Sequence, residues 1–158
     1  MAWLLRATEF PEARMLVIRR NADDLADWID RAHKMYPYAK IVGKPATIKF
    51  PSGAIIRTGH LKDDQAYTKY QGHEYQRILI EELTQIPSEE SYLKLISSCR
   101  STIKGLKPRI FCTANPGGKG HQWVKHRFID NHKPEVAFRV KGQNRYRMYI
   151  PATIDNNP

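Results

Sequence analysis

Three short apolar runs, each ended by polar residues, organise this chain: Arg14-Met-Leu-Val-Ile18, Arg77-Ile-Leu-Ile80 and Arg109-Ile-Phe-Cys-Thr-Ala114. Uninterrupted apolar runs of this length suit strands buried on both faces of a parallel sheet. Between them the spacing turns helical. Leu25, Trp28, Ile29 and Ala32 fall on one helical face, with Asn21 as the expected cap and Asp23 and Asp24 near the positive end. That periodicity makes Trp28 a core residue rather than a ligand platform. Tyr92, Leu95, Ile96 and Cys99 form a second stripe, in a helix capped by Ser88 and closing near Arg100. Residues 2–8 read as the end of a helix broken by Pro11, and a further helix carries Trp123, Val124 and Phe128.

Other segments alternate. Ala46–Phe50 and Ala54–Thr58, joined by Pro51-Ser52-Gly53, predict a hairpin. Val136–Val140 and Tyr146–Ile150 predict two strands that pair or lie at a sheet edge. Strand and helix thus alternate along most of the chain, which predicts an open, mostly parallel α/β sheet with flanking helices. No internal repeat, low-complexity stretch or interdomain linker divides the 158 residues.

Composition narrows the function classes. No apolar run approaches the roughly 18 residues of a membrane span. Met1-Ala-Trp-Leu-Leu-Arg-Ala7 is too short and too soon charged for a signal peptide. Cys99 and Cys112 stand in apolar segments and read as free thiols, and no Cys/His spacing suits zinc. The 26 Lys and Arg against 16 Asp and Glu give a net charge of +10, which favours a polyanionic partner such as nucleic acid. Lys62, Lys69, Tyr67, Tyr70 and Tyr75 interleave cations and rings over residues 61–76, a pattern that suits phosphates or single strands as well as an ordinary solvated surface.

Candidate chemistry gathers at two strand ends, where open α/β sheets bind ligands. The Arg77–Ile80 strand delivers Glu81 and Glu82. Adjacent residues of an extended strand point to different sides, so one carboxylate can serve a Mg²⁺ ion while the other orients a water nucleophile. The same pair also suits the start of a solvated loop. Thr113 and Asn115, before Pro116-Gly-Gly118, offer short polar side chains on a loop that can change shape, and equally a plain Pro-Gly turn.

Taken together these segments resemble phage terminase large subunits. Arg77-Ile-Leu-Ile-Glu-Glu-Leu-Thr-Gln-Ile86 is similar to their Walker B segment and Thr113-Ala-Asn-Pro-Gly-Gly118 to their coupling motif. Gly120-His-Gln-Trp-Val-Lys-His-Arg-Phe-Ile129, Tyr70-Gln-Gly-His-Glu-Tyr75 and Ser97-Ser-Cys-Arg100 also fit, so order and spacing agree over most of residues 14–155. The resemblance implies a P-loop NTPase-like fold that uses ATP and Mg²⁺. It implies Glu82 as catalytic base, Glu81 as the metal residue (directly or through water), and Thr113, Ala114 and Asn115 as the coupling, phosphate-sensing residues. The family more often has Asp where Glu81 stands.

The same resemblance implies double-stranded DNA moved into a capsid, a small-subunit partner, the capsid portal and a homo-oligomeric ring, in the host cytoplasm and transiently docked on the procapsid. An arginine from a neighbouring copy would complete the site; Arg100 is the candidate, with Arg57 and Arg77 as alternatives, and Arg100 equally suits the negative end of its helix.

The departure is an absence. Neither Gly43-Lys44 nor Gly118-Lys119 completes Gly-x-x-x-x-Gly-Lys-Ser/Thr, because Pro45 and Gly120 follow them and Tyr38 and Thr113 stand where the first glycine belongs. Residues 1–158 are therefore expected to be part of an ATPase domain without its Walker A loop or a nuclease domain, not competent for hydrolysis alone. Ala2–Ala7 resembles the helix that leaves the family's P-loop, and Ala152-Thr-Ile-Asp-Asn-Asn-Pro158 its closing Asp-Asn-Pro with one extra Asn. A sheet lacking a central strand is expected to be poorly stable or to self-associate. The competing reading is a non-catalytic basic remnant of a prophage gene that binds DNA or a partner. A metal-dependent nuclease is disfavoured because the sequence shows a single carboxylate cluster.

Overall fold

The computed structural model describes residues 2–63 and 65–152, with the side chains of residues 2 and 3 left aside. Six strands form one sheet: β1 (Arg14–Arg19), β2 (Lys40–Val42), β3 (Thr47–Lys49), β4 (Ile55–His60), β5 (Arg77–Ile80) and β6 (Arg109–Cys112). Their order is β2-β3-β4-β1-β5-β6. β4, β1, β5 and β6 run parallel, while β2 and β3 add an antiparallel margin. The helices are α1 (Ala2–Leu5), α2 (Ala26–Met35), α3 (Glu89–Ile96) and α4 (His121–Phe128). An α/β sheet with flanking helices is therefore what the apolar periodicity predicts.

Alternation along β1 divides the core. Met15 and Val17 face a cluster containing Leu4, Trp28, Ala32, Ile48 and Ile56, whereas Leu16 and Ile18 face one containing Ile78, Ile80, Tyr92 and Leu95. Trp28 is 2% exposed, as its helical spacing requires. Each fully buried aliphatic side chain contributes about 1.5–3 kcal/mol. No helix among the described residues is long and apolar enough to cross a membrane.

Several expectations are corrected. Asn21 does not cap α2: its Nδ2 donates to Asp24 Oδ2 at 3.1 Å, and a 3₁₀ turn, Asp23–Leu25, leads into the helix instead. β6 is not buried on both faces, since its residues alternate between exposed and half-buried and Phe111 is 44% exposed. β6 is the margin of the sheet, so only one face and one edge are covered. The two tail strands reduce to one antiparallel bridge, Phe138 to Arg147, because too few flanking residues find partners. Tyr70 and Tyr75 are core residues rather than platforms for bases: Tyr70 packs under β4 and donates its hydroxyl to the His60 carbonyl at 3.0 Å. The hairpin forms as expected, with Ile48 opposite Ile56, but its second strand runs on to His60. The short strand Lys40–Val42 carries no sequence signal of its own. The closing Asp-Asn-Pro resemblance lies outside the described residues.

Candidate functional site at the carboxyl edge of the sheet

β1 and β5 lie side by side in parallel, with Ile18 opposite Ile80. Each ends in two charged residues: Arg19-Arg20 on β1 and Glu81-Glu82 on β5. The register therefore brings Arg19 against Glu81, and Arg19 Nε donates to Glu81 Oε2 at 2.8 Å. Both side chains are about one-fifth exposed. A charge-assisted hydrogen bond of this kind contributes roughly 1.5–3 kcal/mol. Burial disfavours the Arg19 cation, but the hydrogen bond and charge of Glu81, with help from Glu82 and Asp24, outweigh it and raise its pKa.

Glu82 occupies the left-handed region, φ 54° and ψ 53°. For an L-residue this costs about 1–2 kcal/mol. The neighbouring strand end holds it there. The Glu82 N–H donates to Thr113 Oγ1 at 3.2 Å, and the Leu83 N–H donates to the Thr113 carbonyl at 2.8 Å. Thr113 follows β6, so a residue 31 positions away fixes the turn that presents the carboxylate.

A second set of bonds joins the same two loops. Buried Thr84 donates its hydroxyl to the Asn115 carbonyl at 2.8 Å, and its own carbonyl accepts from the Gly120 N–H at 2.7 Å. Trp123 Nε1, on α4, donates to the Ile86 carbonyl at 2.8 Å. The approach is close enough to demand glycine: a Cβ on Gly118 would lie 2.5 Å from the Thr84 carbonyl oxygen, and one on Gly120 2.1 Å from that of Ile86. The turn after β5 and the loop after β6 are thus one bonded unit.

A cleft of about 380 Å³ opens beside this unit, lined by Arg19, Arg20, Asn21, Asp24, Glu82 and Gln85. Next to it His60 and Lys62 border a second hollow of about 430 Å³. Burial, and after it the Lys69 charge, hold the His60 imidazole below its usual pKa.

The structure brings Glu81, Glu82, Thr113, Ala114 and Asn115 to one edge, with the last three exposed. It does not bring the three arginines there. Arg77 begins β5, about 13 Å of extended strand from Glu81, and its guanidinium donates to the Gln76 and Lys107 carbonyls. Arg57 lies mid-way along β4, opposite Leu16. Arg100 is exposed beside Glu74 at 3.9 Å, ahead of β5. Sequence reasoning passes over Arg19, although the charged pair ending β1 mirrors the one ending β5.

The family model for phage terminase large subunits matches residues 2–158. The chain belongs to that family. Its fold is also similar to that of the large terminase from a thermophilic bacteriophage, with a TM-score of 0.63 and 18% identity. That likeness covers 82% of this chain and 32% of the thermophilic phage's terminase, so the chain spans about a third of its length. No curated protein matches the sequence.

Proposed function

We propose that this terminase chain supplies the hydrolytic edge of a DNA-packaging motor, in which ATP hydrolysis drives double-stranded DNA into a viral capsid. Residues 1–158 are then the part of an ATPase domain that carries the Walker B and coupling segments. The observation that carries the reading is the turn after β5, where the strained Glu82 and its neighbour Leu83 each donate a backbone hydrogen bond to Thr113.

In this reading Glu82 accepts the proton of an attacking water. Strain at Glu82 is tolerated because the clamp presents its carboxylate at the strand end rather than letting it relax into solvent. Glu81 takes the metal role. Its Oε2 is held by Arg19, while its second oxygen has no partner among the described residues. No group of three or more metal-binding side chains occurs among the described residues. That donor set fits Mg²⁺ carried on nucleotide phosphates, which needs only one or two carboxylates from the protein, and does not fit an independent protein cage. The bound Mg-nucleotide supplies the phosphoryl group and neutralises its charge. Thr113, Ala114 and Asn115 transmit the state of the site, because any shift of the Glu82 turn pulls on the loop bonded to it.

The partners that go with this role are a ring of identical copies, a terminase small subunit and the capsid portal, with work done in the host cytoplasm at the procapsid. Arg100, 59% exposed at its side chain and 3.9 Å from Glu74, is the candidate to reach a neighbouring copy's site. A second reading, a non-catalytic basic binding remnant, is favoured by the net charge of +10.

The two readings part on nucleotide. ATP binding and turnover with Mg²⁺ are measured for the chain, for a version extended at its N-terminus by a P-loop segment, and for that version with Glu82→Gln. Turnover in the extended form that falls by at least about a hundredfold in Glu82→Gln supports the motor. An extended form that binds no ATP leaves the basic remnant.

A further inference from the structure

The positive charge is not spread evenly. Twelve of the 26 Lys and Arg but three of the 16 Asp and Glu lie in residues 100–158, so this stretch carries +9 of the net +10. Some of its cations are committed inside the protein. Arg127 donates to Glu89 at 2.7 Å, Lys125 pairs with Asp130 at 3.0 Å, and Arg145 is tied to the Cys99 carbonyl. Lys133, Arg139 and Lys141 are exposed and pair with no carboxylate among the described residues.

All three lie on the tail segment. The Phe138–Arg147 bridge folds residues 133–149 back on themselves. His132 stacks on Phe138 with 3.5 Å between ring centroids, and Arg139 lies 5.6 Å from the Tyr146 ring. The Arg145 bond to Cys99 fixes the loop near the bridge between Tyr75 and Cys99, at the start of β5. That is the opposite end of the strand from Glu81 and Glu82.

We propose that residues 133–147 form a contact surface for the backbone phosphates of a double-stranded nucleic acid, engaged by Lys133, Arg139 and Lys141. Free cations on an exposed face bind a polyphosphate by releasing its counterions. A single strand would need successive exposed rings on which bases stack. Here Phe138 is covered by His132, Tyr149 is half-buried with its hydroxyl donating to the His132 carbonyl at 3.3 Å, and Tyr146, 70% exposed, has Arg139 rather than a second exposed ring against it. The choice of a duplex also rests on the packaging reading; the location of the surface rests on the charges alone.

The test is binding of a short labelled duplex by the intact chain, followed by fluorescence anisotropy from about 50 to 200 mM salt. Lys133→Ala, Arg139→Ala and Lys141→Ala together are expected to weaken binding at least about tenfold and to lower the slope of log K against log salt by about 2.7. The comparison variant replaces exposed Lys40, Lys44 and Lys49 with Ala, removing the same charge from β2, β3 and their connection, and is expected to bind nearly as the parent does. Equal losses in the two variants overturn the proposal, as does a chain that binds no duplex. Tighter binding to a single strand, or displacement of the duplex by poly-glutamate as effectively per charge as by unlabelled DNA, also overturns it, the latter pointing to an acidic protein instead. The assay uses no nucleotide. Duplex binding through these residues without ATP binding by the extended form therefore sinks the hydrolytic reading alone.

Discussion

Residues 2–99 and residues 100–152 are built on different terms. The first stretch is almost neutral and contains nearly all of the buried hydrophobic side chains; after Cys99 only Leu106 and Val124 join them. Exposed large hydrophobics are distributed the other way, with Met35, Tyr38 and Leu93 before residue 100 and seven after it, Ile150 the most exposed of the aliphatics at 63%. One region is held by packing. The other is joined through the β5–β6 ladder and a few partly buried apolar side chains, and then by specific bonds: Trp123 to Ile86, Arg127 to Glu89, Arg145 to Cys99, and Thr102 to Glu74. Perturbation should therefore be felt unequally. Stability resides in β1, β4 and β5, whereas beyond the β6 ladder the position of the basic third depends on individual polar contacts at a seam.

The most direct challenge to this contrast is to truncate the same side chain on both sides. Ile78, on β5, is fully buried among Leu16, Ile18, Tyr92 and Leu95. Ile78→Ala is expected to cost about 2–5 kcal/mol in urea unfolding. Ile150→Ala should change stability by no more than about 0.5 kcal/mol. Comparable losses would mean that the tail is packed as a core in solution.

The same contrast explains which parts of the molecule are legible from sequence. β1 and β5 can be read because residues buried on both faces leave a continuous apolar run. β6 has the same run, yet its burial depends on what lies beyond the sheet margin, and no local pattern encodes that. Tyr70 and Tyr75 sit among Lys62, Lys69 and polar neighbours in sequence, but the chain folds their rings under β4 and α3; tyrosine composition does not distinguish a core ring from an exposed one. Asn21 has the identity of a cap but spends its side chain on Asp24. At the candidate site, two carboxylates ending an apolar strand are visible in the sequence. The left-handed turn at Glu82, its clamp by Thr113 and the Arg19 partner of Glu81 are contacts across 31 to 62 residues, so they follow from strand register rather than from local sequence.

A smaller perturbation tests whether the seam near the carboxylates acts as one piece. The Gly120→Ala methyl would meet the Ile86 carbonyl oxygen at 2.1 Å and Trp123 Nε1 at 2.6 Å, so either the backbone shifts or the Trp123 hydrogen bond breaks. The expected cost is about 1–3 kcal/mol. Faster amide exchange should appear at Leu83, whose N–H is bonded to Thr113, and at Gly120 itself. Exchange confined to α4, with Leu83 unchanged, would show that the loop after β6 does not control the turn that carries Glu82.

The mildest effect belongs to the seam's other end, and it is read through pH. Glu74 accepts hydrogen bonds from the Thr102 N–H at 2.9 Å, the Thr102 hydroxyl at 3.0 Å and Gln76 Nε2 at 2.8 Å, with Arg100 close by. The Thr102 N–H, ahead of burial, which opposes it, and of the side-chain bonds, holds the carboxyl below its usual value of 4.5. A lowered carboxyl pKa means that the folded joint is stabilised fully above pH 4.5, and that this contribution is lost as pH falls through the lowered value. Because the group is near the surface, the loss should be local, without a measurable change in global unfolding. Amide exchange at Thr102, corrected for its intrinsic pH dependence, should therefore accelerate below pH 4.5 while that of β5 does not. Glu74→Gln should show the faster exchange already at neutral pH and no further acid step. An acid step that persists in Glu74→Gln would assign the joint's pH response to another group, and would leave the attachment of the basic third resting on the β5–β6 ladder and the Arg127 and Trp123 contacts instead.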